Sequence, residues 1–490
     1  MKDQELANED LLPIPKEKRD WGASSYFSLW VGMAVCIPSY MIAASLITAG
    51  MSLIQSVMCV FLGNLIVLIP MLLNGKVGAK YGIPYPIYAR SSFGILGSNV
   101  PALLRAVVAC GWFGIQSWIG GTAVMAVIKI LWPGFENLPP VLPDFMGVET
   151  APFLCFLIFW ALNVFIIMKG IRYIKWLEQA SAPILLLGGL ALLAWAVLET
   201  SARVGGLGQA LALLVHSPGT FETSAQFWRA FIPGLTAMVG FWATMSLNIP
   251  DFTRYAKDQR SQFVGQALGL PTTMTLFAFI GVIVTKASEI IYGKALWNPV
   301  HVIARFDSPA ILLLSMLIIV IATLSTNIAA NVVGPANDFA NMLPSKIDFK
   351  RGGLLTALLG IVIMPWKLIA DPSGYIFTWL IAYSSLLGPI GGILLVDYFV
   401  IRKQTLNVKD LYKRQGEYGY CRGINPYALL AFGLGVLPNI PGFLFKTGLL
   451  DSIPSFFETL YSYAWFVGLP TAGLLYYAFM ARSRPRLQKA

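Results

Sequence analysis

The chain has 490 residues, of which 57% are hydrophobic and only 12% are charged, and its mean hydropathy is +0.68. Soluble proteins carry about twice that charged fraction, so the composition excludes a soluble globular protein. The net charge of +11 comes from basic residues that are spread unevenly between the connections, and it therefore gives no indication of nucleic-acid binding.

Twelve apolar runs are long enough to cross a bilayer, which takes about 20 residues of helix. Residues 1–26 are polar and contain no apolar signal-peptide core, so we expect the first run itself to direct insertion. The chain is therefore predicted to be an all-α polytopic membrane protein with twelve transmembrane helices. The runs fall at residues 27–49, 52–73, 100–128, 152–169, 179–198, 230–249, 264–286, 309–330, 353–370, 374–400, 426–444 and 461–480.

Lys and Arg residues predict the orientation, since they are enriched in cytoplasmic connections. Of the 35 in the chain, 27 lie in the set of connections that contains both termini and 8 in the other set. Both termini are therefore predicted to be cytoplasmic, in an inner or plasma membrane. His216 and His301 fall in the external set, so a histidine proton relay within the membrane is not expected.

The first helix is predicted to be interrupted. The amino-terminal segment before it ends in a charged run with an interfacial tryptophan at residues 16–21, and this segment is expected to be a solvated lead-in. Pro38 lies in mid-span, where it removes a backbone hydrogen bond and clashes with the preceding turn. Lipid offers no partner for the freed carbonyls, so protein, water or an ion must supply one. A simple proline kink is the alternative interpretation.

The third helix contains two side chains of a type that recognises ligands. A cytoplasmic loop rich in Gly, Pro and basic residues is predicted before it, at residues 74–90. Trp112 and Gln116 are four residues apart and therefore share one helix face. A flat aromatic surface then lies beside an amide that both donates and accepts hydrogen bonds. This pair would suit a planar ligand with amide-like edges, although packing against a neighbouring helix would also explain it.

The sixth helix repeats the pattern of the first, with Trp242 in mid-span and Pro250 before a charged end. Two interrupted helices that each begin a block of five indicate an inverted-repeat transporter with a binding site near the membrane midplane. The predicted organisation is a cytoplasmic amino-terminal segment at 1–26, a first five-helix repeat at 27–199, a second, inverted repeat at 200–400, two additional helices at 401–480 and a cytoplasmic tail at 481–490.

The eighth helix has the most polar stretch at membrane depth. Hydroxyl and carbonyl oxygens of this kind suit a small hard cation such as sodium. The alternative is that the hydroxyls bond to their own helix and the asparagines join neighbouring helices. The polar residues are Thr323, Ser325, Thr326, Asn327 and Asn331.

Three acidic residues, Asp251, Asp338 and Asp397, fall at predicted cytoplasmic helix ends, where a charge costs little. They need no functional role, although Asp251 and Arg254 could pair in an inner gate. No buried carboxylate pair and no Cys–His pair is predicted at membrane depth, which argues against a membrane enzyme. A channel or a receptor would leave the two interrupted helices unexplained.

Seven short segments carry a family likeness: residues 32–38 (GMAVCIP), 80–84 (KYGIP), 111–116 (GWFGIQ), 248–254 (NIPDFTR), 325–331 (STNIAAN), 365–367 (PWK) and 388–399 (GP to DYF). In this order and spacing they resemble the first nucleobase:cation symporter family, which includes hydantoin, allantoin, uracil, cytosine and purine permeases. The likeness runs from about Trp21 to the carboxyl end.

The resemblance implies a leucine-transporter-like fold, with a five-plus-five inverted repeat and interrupted helices 1 and 6. It also implies secondary active transport of a planar heterocycle by alternating access, with sodium or protons. Trp112 and Trp242 would stack on the two faces of the ring. Gln116 and Asn331 would read its amide edges.

The resemblance further implies a sodium site between the break in helix 1 and helix 8. Backbone oxygens of Gly32, Val35 and Ala322 and the hydroxyls of Ser325 and Thr326 would hold the ion. We expect no other cofactor and no catalytic residue. A proton is the alternative coupling ion, and we expect the protein to be a monomer in the bilayer.

Two positions depart from the family pattern. Cys36 stands where hydantoin- and allantoin-moving relatives carry an amide, and Phe241 stands where a hydantoin-type member has glycine. Cys36 is a poor hydrogen-bond partner, and Phe241 predicts a tighter pocket. Together these changes suit uracil or a related pyrimidine better than allantoin with its long ureido arm. The alternative is a hydantoin, dihydropyrimidine or allantoin permease.

Overall fold

The computed structural model describes residues 6–169, 171–216, 219–369 and 374–487. Within these ranges the chain is helical, and two isolated bridges are the only β-type pairings. Nine of the described helices are long and apolar enough to cross a membrane, and one bent pair adds a tenth. The other two expected spans, at 230–249 and 353–370, are divided into shorter helices. The expected all-α membrane fold is confirmed.

In the first part of the chain, α1 and α2 together form the first interrupted span. The other interrupted span consists of α9, α10 and α11. Short helices α4 and α8 join longer ones. The helices are α1 (Ala23–Ala34), α2 (Ile37–Thr48), α3 (Leu53–Tyr81), α4 (Tyr85–Phe93), α5 (Asn99–Leu131), α6 (Thr150–Lys169), α7 (Ile171–Val204), α8 (Leu207–Val215), α9 (Ser224–Phe241), α10 (Ala243–Asn248) and α11 (Pro250–Thr253).

The second part continues with a long helix, α12, and with α14, which is followed almost directly by α15. Segments of π-helix flank α18 on both sides, at Gly374–Leu380 and Val396–Ile401. The helices are α12 (Gln259–Tyr292), α13 (Pro299–Ile303), α14 (Pro309–Asn331), α15 (Val333–Met342), α16 (Phe349–Val362), α17 (Pro365–Leu368), α18 (Ile381–Leu395), α19 (Pro426–Val436), α20 (Ile440–Lys446), α21 (Ser455–Ser462) and α22 (Ala464–Leu487).

The first span is broken at Val35 and Cys36, and the two half-helices meet at an angle of 59°. Cys36 has an extended backbone, with φ −138° and ψ 161°. Pro38 lies in the first turn of α2, where its missing N–H removes no helical hydrogen bond. The proline therefore begins a second half-helix and does not kink a continuous one.

The sixth span is broken at Trp242, whose backbone leaves the helical conformation with φ −106° and ψ 10°. The two interrupted spans are in contact, because Trp30 of α1 packs edge-to-face against Trp242 at 5.0 Å between ring centroids. Both predicted breaks therefore exist and lie together inside the molecule. The division of the chain into two inverted repeats stays a prediction.

The predicted loop at residues 74–90 is wrong, because α3 continues to Tyr81 and a buried helix, α4, follows it. Proline in the first turn of α4 favours a helix start. Arg90 of this helix is 1% exposed, and its guanidinium donates to the Asn341 side chain and to the backbone carbonyls of Leu411 and Leu6. These partners offset the cost of burying the charge.

The amino-terminal segment is only partly the solvated lead-in that we predicted. Residues 16–18 are exposed, but Leu6 and Leu11 are buried. The Asn8 amide donates to the carbonyl of Ile347 at 2.8 Å. The segment therefore packs across one face of the helix bundle, which is called the amino-terminal face below.

Candidate functional site

All six side chains that we predicted to contact the ring line one small cavity. Its volume is about 20 Å³, room for about one water molecule. A planar ring can therefore enter only when the lining side chains move apart. Thr244, Met245, Thr326 and Ala330 complete the lining. The six predicted residues, all between 2% and 6% exposed, are Cys36, Trp112, Gln116, Phe241, Trp242 and Asn331.

Four separate elements deliver these side chains, and three of them end at the cavity. Cys36 lies in the break of the first span, and Phe241 and Trp242 lie at the break of the sixth. Asn331 is the last residue of α14. Only α5, which carries Trp112 and Gln116 on one face, passes the cavity as a continuous helix.

The aromatic side chains form a contiguous group around the cavity. The Phe241 ring makes edge-to-face contacts with Trp112, at 5.1 Å between centroids, and with Trp242, at 5.0 Å. The Trp112 indole N–H donates to the Tyr383 hydroxyl at 3.3 Å, and Trp379 contacts the same indole. The Phe241 side chain thus narrows the space between the two indoles.

Two polar atoms at the cavity are buried without a hydrogen-bond partner, Oε1 of Gln116 and the indole N–H of Trp242. Burying such a group unpaired costs about 1–3 kcal/mol. A ligand whose edge carries both an N–H and a carbonyl would satisfy both atoms. Asn331 donates through Nδ2 to Asn327 at 3.0 Å, which leaves its carbonyl oxygen for a ligand.

Asn327 joins three helices and does not face the cavity. Its amide donates to the Phe113 carbonyl at 3.2 Å, to the Ser117 hydroxyl at 3.2 Å and to Asn163 Oδ1 at 3.1 Å. For this residue the alternative interpretation, that polar side chains hold neighbouring helices together, is the better one. Its role is to fix the position of Asn331.

The break in the first span frees a carbonyl for the predicted ion site. In a continuous helix the Cys36 N–H would bond to the Gly32 carbonyl, but here it donates to Ala34 at 3.0 Å. The Gly32 carbonyl instead accepts from the Thr326 hydroxyl at 2.8 Å. The structure thus brings together two of the five predicted sodium ligands, and the Thr326 oxygen keeps lone pairs for a cation.

The other three predicted ligands lie near this pair. Ser325 and Ser181 of α7 are joined by a hydroxyl–hydroxyl hydrogen bond of 2.8 Å. Val35 and Ala322 both line a second, largely apolar cavity of about 340 Å³. The available donors are carbonyl and hydroxyl oxygens, which fit a hard cation such as sodium.

Three contacts of the site were not predicted from sequence. Ser181 lies in an apolar run on α7. Trp379 and Tyr383 lie in another apolar run, Trp379 in the π-helical segment before α18 and Tyr383 in α18 itself. Aromatic or small polar residues in such runs give no pattern that separates a site residue from a core residue. Only the packing of distant helices brings them into contact with the residues of the site.

The expectation that the three acidic residues lie at helix ends where a charge costs little is wrong. Asp251, Asp338 and Asp397 are all 0% exposed. Asp338 faces Arg105 of α5 with 3.6 Å between the carboxylate and the guanidinium. Gly334 makes room for this guanidinium, since a Cβ there would lie 2.0 Å from Arg105. The chain continues as α15 after α14, and this second helix places Asp338 inside the bundle.

The suggested gate pair of Asp251 and Arg254 does not form. Asp251 accepts from the backbone N–H of Tyr85 at 2.9 Å and from the Asn248 amide at 3.1 Å. Arg254 donates to the carbonyl of Asp10 at 2.7 Å. Each of the two residues therefore attaches a different segment to the short helix α11.

Comparisons with known proteins show which proteins this chain is similar to. Residues 13–468 match the family described as "Permease for cytosine/purines, uracil, thiamine, allantoin". The chain is 44% identical over 485 residues to the purine-uracil permease NCS1 of Arabidopsis thaliana, which covers 98% of this chain and 78% of that protein. It is 39% identical over 475 residues to the allantoin permease of Bacillus subtilis (strain 168), with 97% and 93% covered.

A solved structure is similar over nearly the full length. It is Mhp1, a nucleobase-cation-symport-1 family transporter, in a closed conformation with bromovinylhydantoin bound. The TM-score is 0.78 at 26% sequence identity, and the match covers 98% of this chain and 96% of that one. The helix arrangement described above is therefore that of a known transporter fold.

Proposed function

From the premise that this chain belongs to the family of permeases for cytosine/purines, uracil, thiamine and allantoin, we propose that it imports uracil or a related pyrimidine by sodium symport with alternating access. Membership confirms the predicted family, and it makes the protein a membrane permease and not an enzyme. The expected leucine-transporter-like fold is likewise confirmed.

One observation carries the proposal for the ring: the six side chains predicted to contact it line one buried cavity where both helix breaks meet. Trp112 and Trp242 supply aromatic surfaces, and stacking of a base on such a surface contributes about 1–3 kcal/mol. Together with amide hydrogen bonds, this supports an affinity in the micromolar range, about −8 kcal/mol.

The dimensions of the cavity favour a compact ring. Phe241 contacts both indoles, and its ring therefore occupies space that a larger ligand would need. Cys36 offers only a thiol, a weak hydrogen-bonding group whose sulfur already lies 3.2 Å from the Ser39 hydroxyl. Uracil needs little room, and its N–H and carbonyl groups complement the unpaired atoms of Gln116 and Trp242. The name of the purine-uracil permease agrees with this choice.

A hydantoin, dihydropyrimidine or allantoin permease is the second candidate. The 39% identity to the Bacillus subtilis allantoin permease favours it, as does the hydantoin derivative bound to Mhp1. These ligands share amide edges with uracil, so the polar atoms of Gln116 and Trp242 would form hydrogen bonds with them as well. They differ in bulk, which a competition experiment measures.

Sodium coupling is supported by the contact between Thr326 and Gly32. Thr326 also lines the ring cavity, and Cys36 lines both that cavity and the larger apolar one. An ion held by Thr326 would therefore fix part of the wall against which the ring binds. A coupling free energy of about 1–3 kcal/mol is typical of such linked sites. Proton coupling is the alternative.

We further propose that the termini are cytoplasmic and that the protein works as a monomer in an inner or plasma membrane. The basis is the asymmetry of Lys and Arg between the two sets of connections. On this orientation, the amino-terminal face is the cytoplasmic one.

Uptake of labelled uracil into proteoliposomes tests the proposal. We expect concentrative uptake under an inward sodium gradient, and little uptake when potassium replaces sodium at constant pH. Unlabelled hydantoin, allantoin, thymine, cytosine and purines are then added as competitors. Equal uptake with and without sodium would contradict sodium coupling, and stronger competition by allantoin than by uracil would overturn the choice of substrate.

A further inference from the structure

A third cavity, of about 1340 Å³, opens at the amino-terminal face. The connection at residues 401–425 forms most of its wall, and Ile95, Leu96 and Met480 complete it. It shares no lining residue with the ring cavity or with the apolar cavity beside it.

The side chains around this cavity are mainly cationic. Arg402, Lys403, Arg414 and Arg422 line it, against a single carboxylate, Glu417, which is already ion-paired with Arg402. Lys403 and Arg422 are exposed, and neither makes a hydrogen bond or ion pair within the described part of the chain. The cavity therefore presents cationic groups whose charge is not neutralised.

The backbone of this wall is strained. Four of the five non-glycine residues with positive φ in the described chain lie here: Lys403 (49°), Gln404 (63°), Tyr420 (40°) and Arg422 (52°). Such conformations cost about 1–3 kcal/mol each and persist where the surrounding structure enforces them, often at functional sites. Here the two cations without partners are themselves among the strained residues.

Hydrogen bonds of Arg402 stabilise this part of the wall. Its guanidinium donates to Asp397 at 2.8 Å, to the Ser91 carbonyl at 2.8 Å and to the Tyr420 hydroxyl at 2.6 Å. The Tyr476 hydroxyl donates to the other oxygen of Asp397 at 2.8 Å. This network fixes Arg402, which directly precedes Lys403, and Tyr420, which lies two residues before Arg422.

An exposed apolar stripe begins at the rim of the cavity. Leu96 lines the cavity, and Val100, Leu103 and Val107 continue from it along α5 at helical spacing, all between 37% and 48% exposed. Because α5 spans the membrane, this stripe faces lipid. The cationic cavity is therefore continuous with a surface for hydrocarbon.

We propose that this cavity binds a phosphate-bearing anion, supplied by the headgroup of an anionic phospholipid whose acyl chain lies along the Leu96 stripe. Clusters of Lys and Arg at a membrane surface attract anionic headgroups, and each contributes about a factor of five to binding. The same chemistry would hold a free phosphate, which lacks the acyl chain.

Native mass spectrometry of the purified full-length protein tests the site, with short-chain phosphatidylglycerol and phosphatidylcholine as probes. The double variant Lys403→Gln, Arg422→Gln should bind phosphatidylglycerol about 25-fold more weakly than the wild type, and phosphatidylcholine should bind both weakly. The matched control Lys350→Gln, Lys409→Gln removes two exposed charges from other positions and should change the affinity by less than about 2-fold.

The thermal unfolding midpoint in inorganic phosphate distinguishes the two sources of the anion. If phosphate alone stabilises the wild type but not the cavity variant, the site belongs to a free phosphate. Unchanged phosphatidylglycerol binding by the cavity variant, or an equal loss in the control, would overturn the proposal. None of these measurements depends on transport of the ring.

Discussion

The replacement Gln116→Leu tests whether Gln116 forms a hydrogen bond with the edge of the ring. Gln116 is 3% exposed, and its Oε1 has no hydrogen-bond partner in the structure. In the absence of a ligand, leucine removes an unsatisfied polar atom at nearly constant volume. We therefore expect the free energy of unfolding to stay the same or to rise.

Ring binding should respond in the opposite direction. With leucine at this position, a ring N–H that was paired with Oε1 is buried without an acceptor, which costs about 1–3 kcal/mol. This cost corresponds to a dissociation constant about 5- to 150-fold higher. The variant should therefore be as stable as the wild type or more stable, while it binds uracil more weakly. This combination distinguishes a binding residue from a packing residue.

Equilibrium binding of labelled uracil to the purified protein, measured beside its thermal unfolding midpoint, provides both quantities. Gln266→Leu is the matched control, since Gln266 is 0% exposed, also has an unpaired Oε1 and lies on α12 away from the cavity. A dissociation constant of Gln116→Leu within 2-fold of the wild-type value would refute a role for Gln116 in ring binding. An equal loss of affinity in the control would refute it too.

Three further substitutions test other parts of the site. Ser325→Ala with Thr326→Ala should raise the sodium concentration for half-maximal uracil uptake, because two of the proposed oxygen ligands are lost; an unchanged value would point to protons or to another ion site. Phe241→Ala should widen the space between the indoles, so that allantoin and hydantoins inhibit uracil uptake at lower concentrations; unchanged inhibition constants would contradict the account of the tight pocket. Asp338→Asn should destabilise the protein by about 3–5 kcal/mol, because Arg105 is left as an uncompensated buried charge; the unfolding midpoint measures this, and replacing both partners with apolar residues should restore it.

Local sequence patterns could predict the features that depend on one helix at a time. Hydropathy located the spans, and Pro38 indicated the first break because it has no N–H to donate. Trp112 and Gln116 were identified by their helical spacing. Trp242 and Asn331 were singled out by their positions in the sixth and eighth helices, and the family likeness supplied their roles in ring binding. Both line the cavity, as do Trp112 and Gln116.

Features that depend on how distant helices pack could not be predicted in this way. The contact of Trp112 with Tyr383 and that of Ser325 with Ser181 each join segments far apart in the chain. The burial of Asp338 could not be predicted, because its partner, Arg105, is more than 200 residues away in sequence. The sequence around a charged residue at the end of an apolar run does not show whether a residue of opposite charge will pack against it.

Binding of labelled uracil to Trp112→Ala tests the central claim, that a planar ring is held at the two helix breaks, most directly. The indole is 5% exposed and contacts Phe241 within the cavity, so its loss removes one stacking surface. We predict that the variant still inserts into the membrane but shows no measurable binding, and that the cavity left by the indole lowers its unfolding midpoint. Trp118→Ala, on the same helix but outside the cavity, should bind as the wild type does. Near-normal binding by Trp112→Ala would contradict the account.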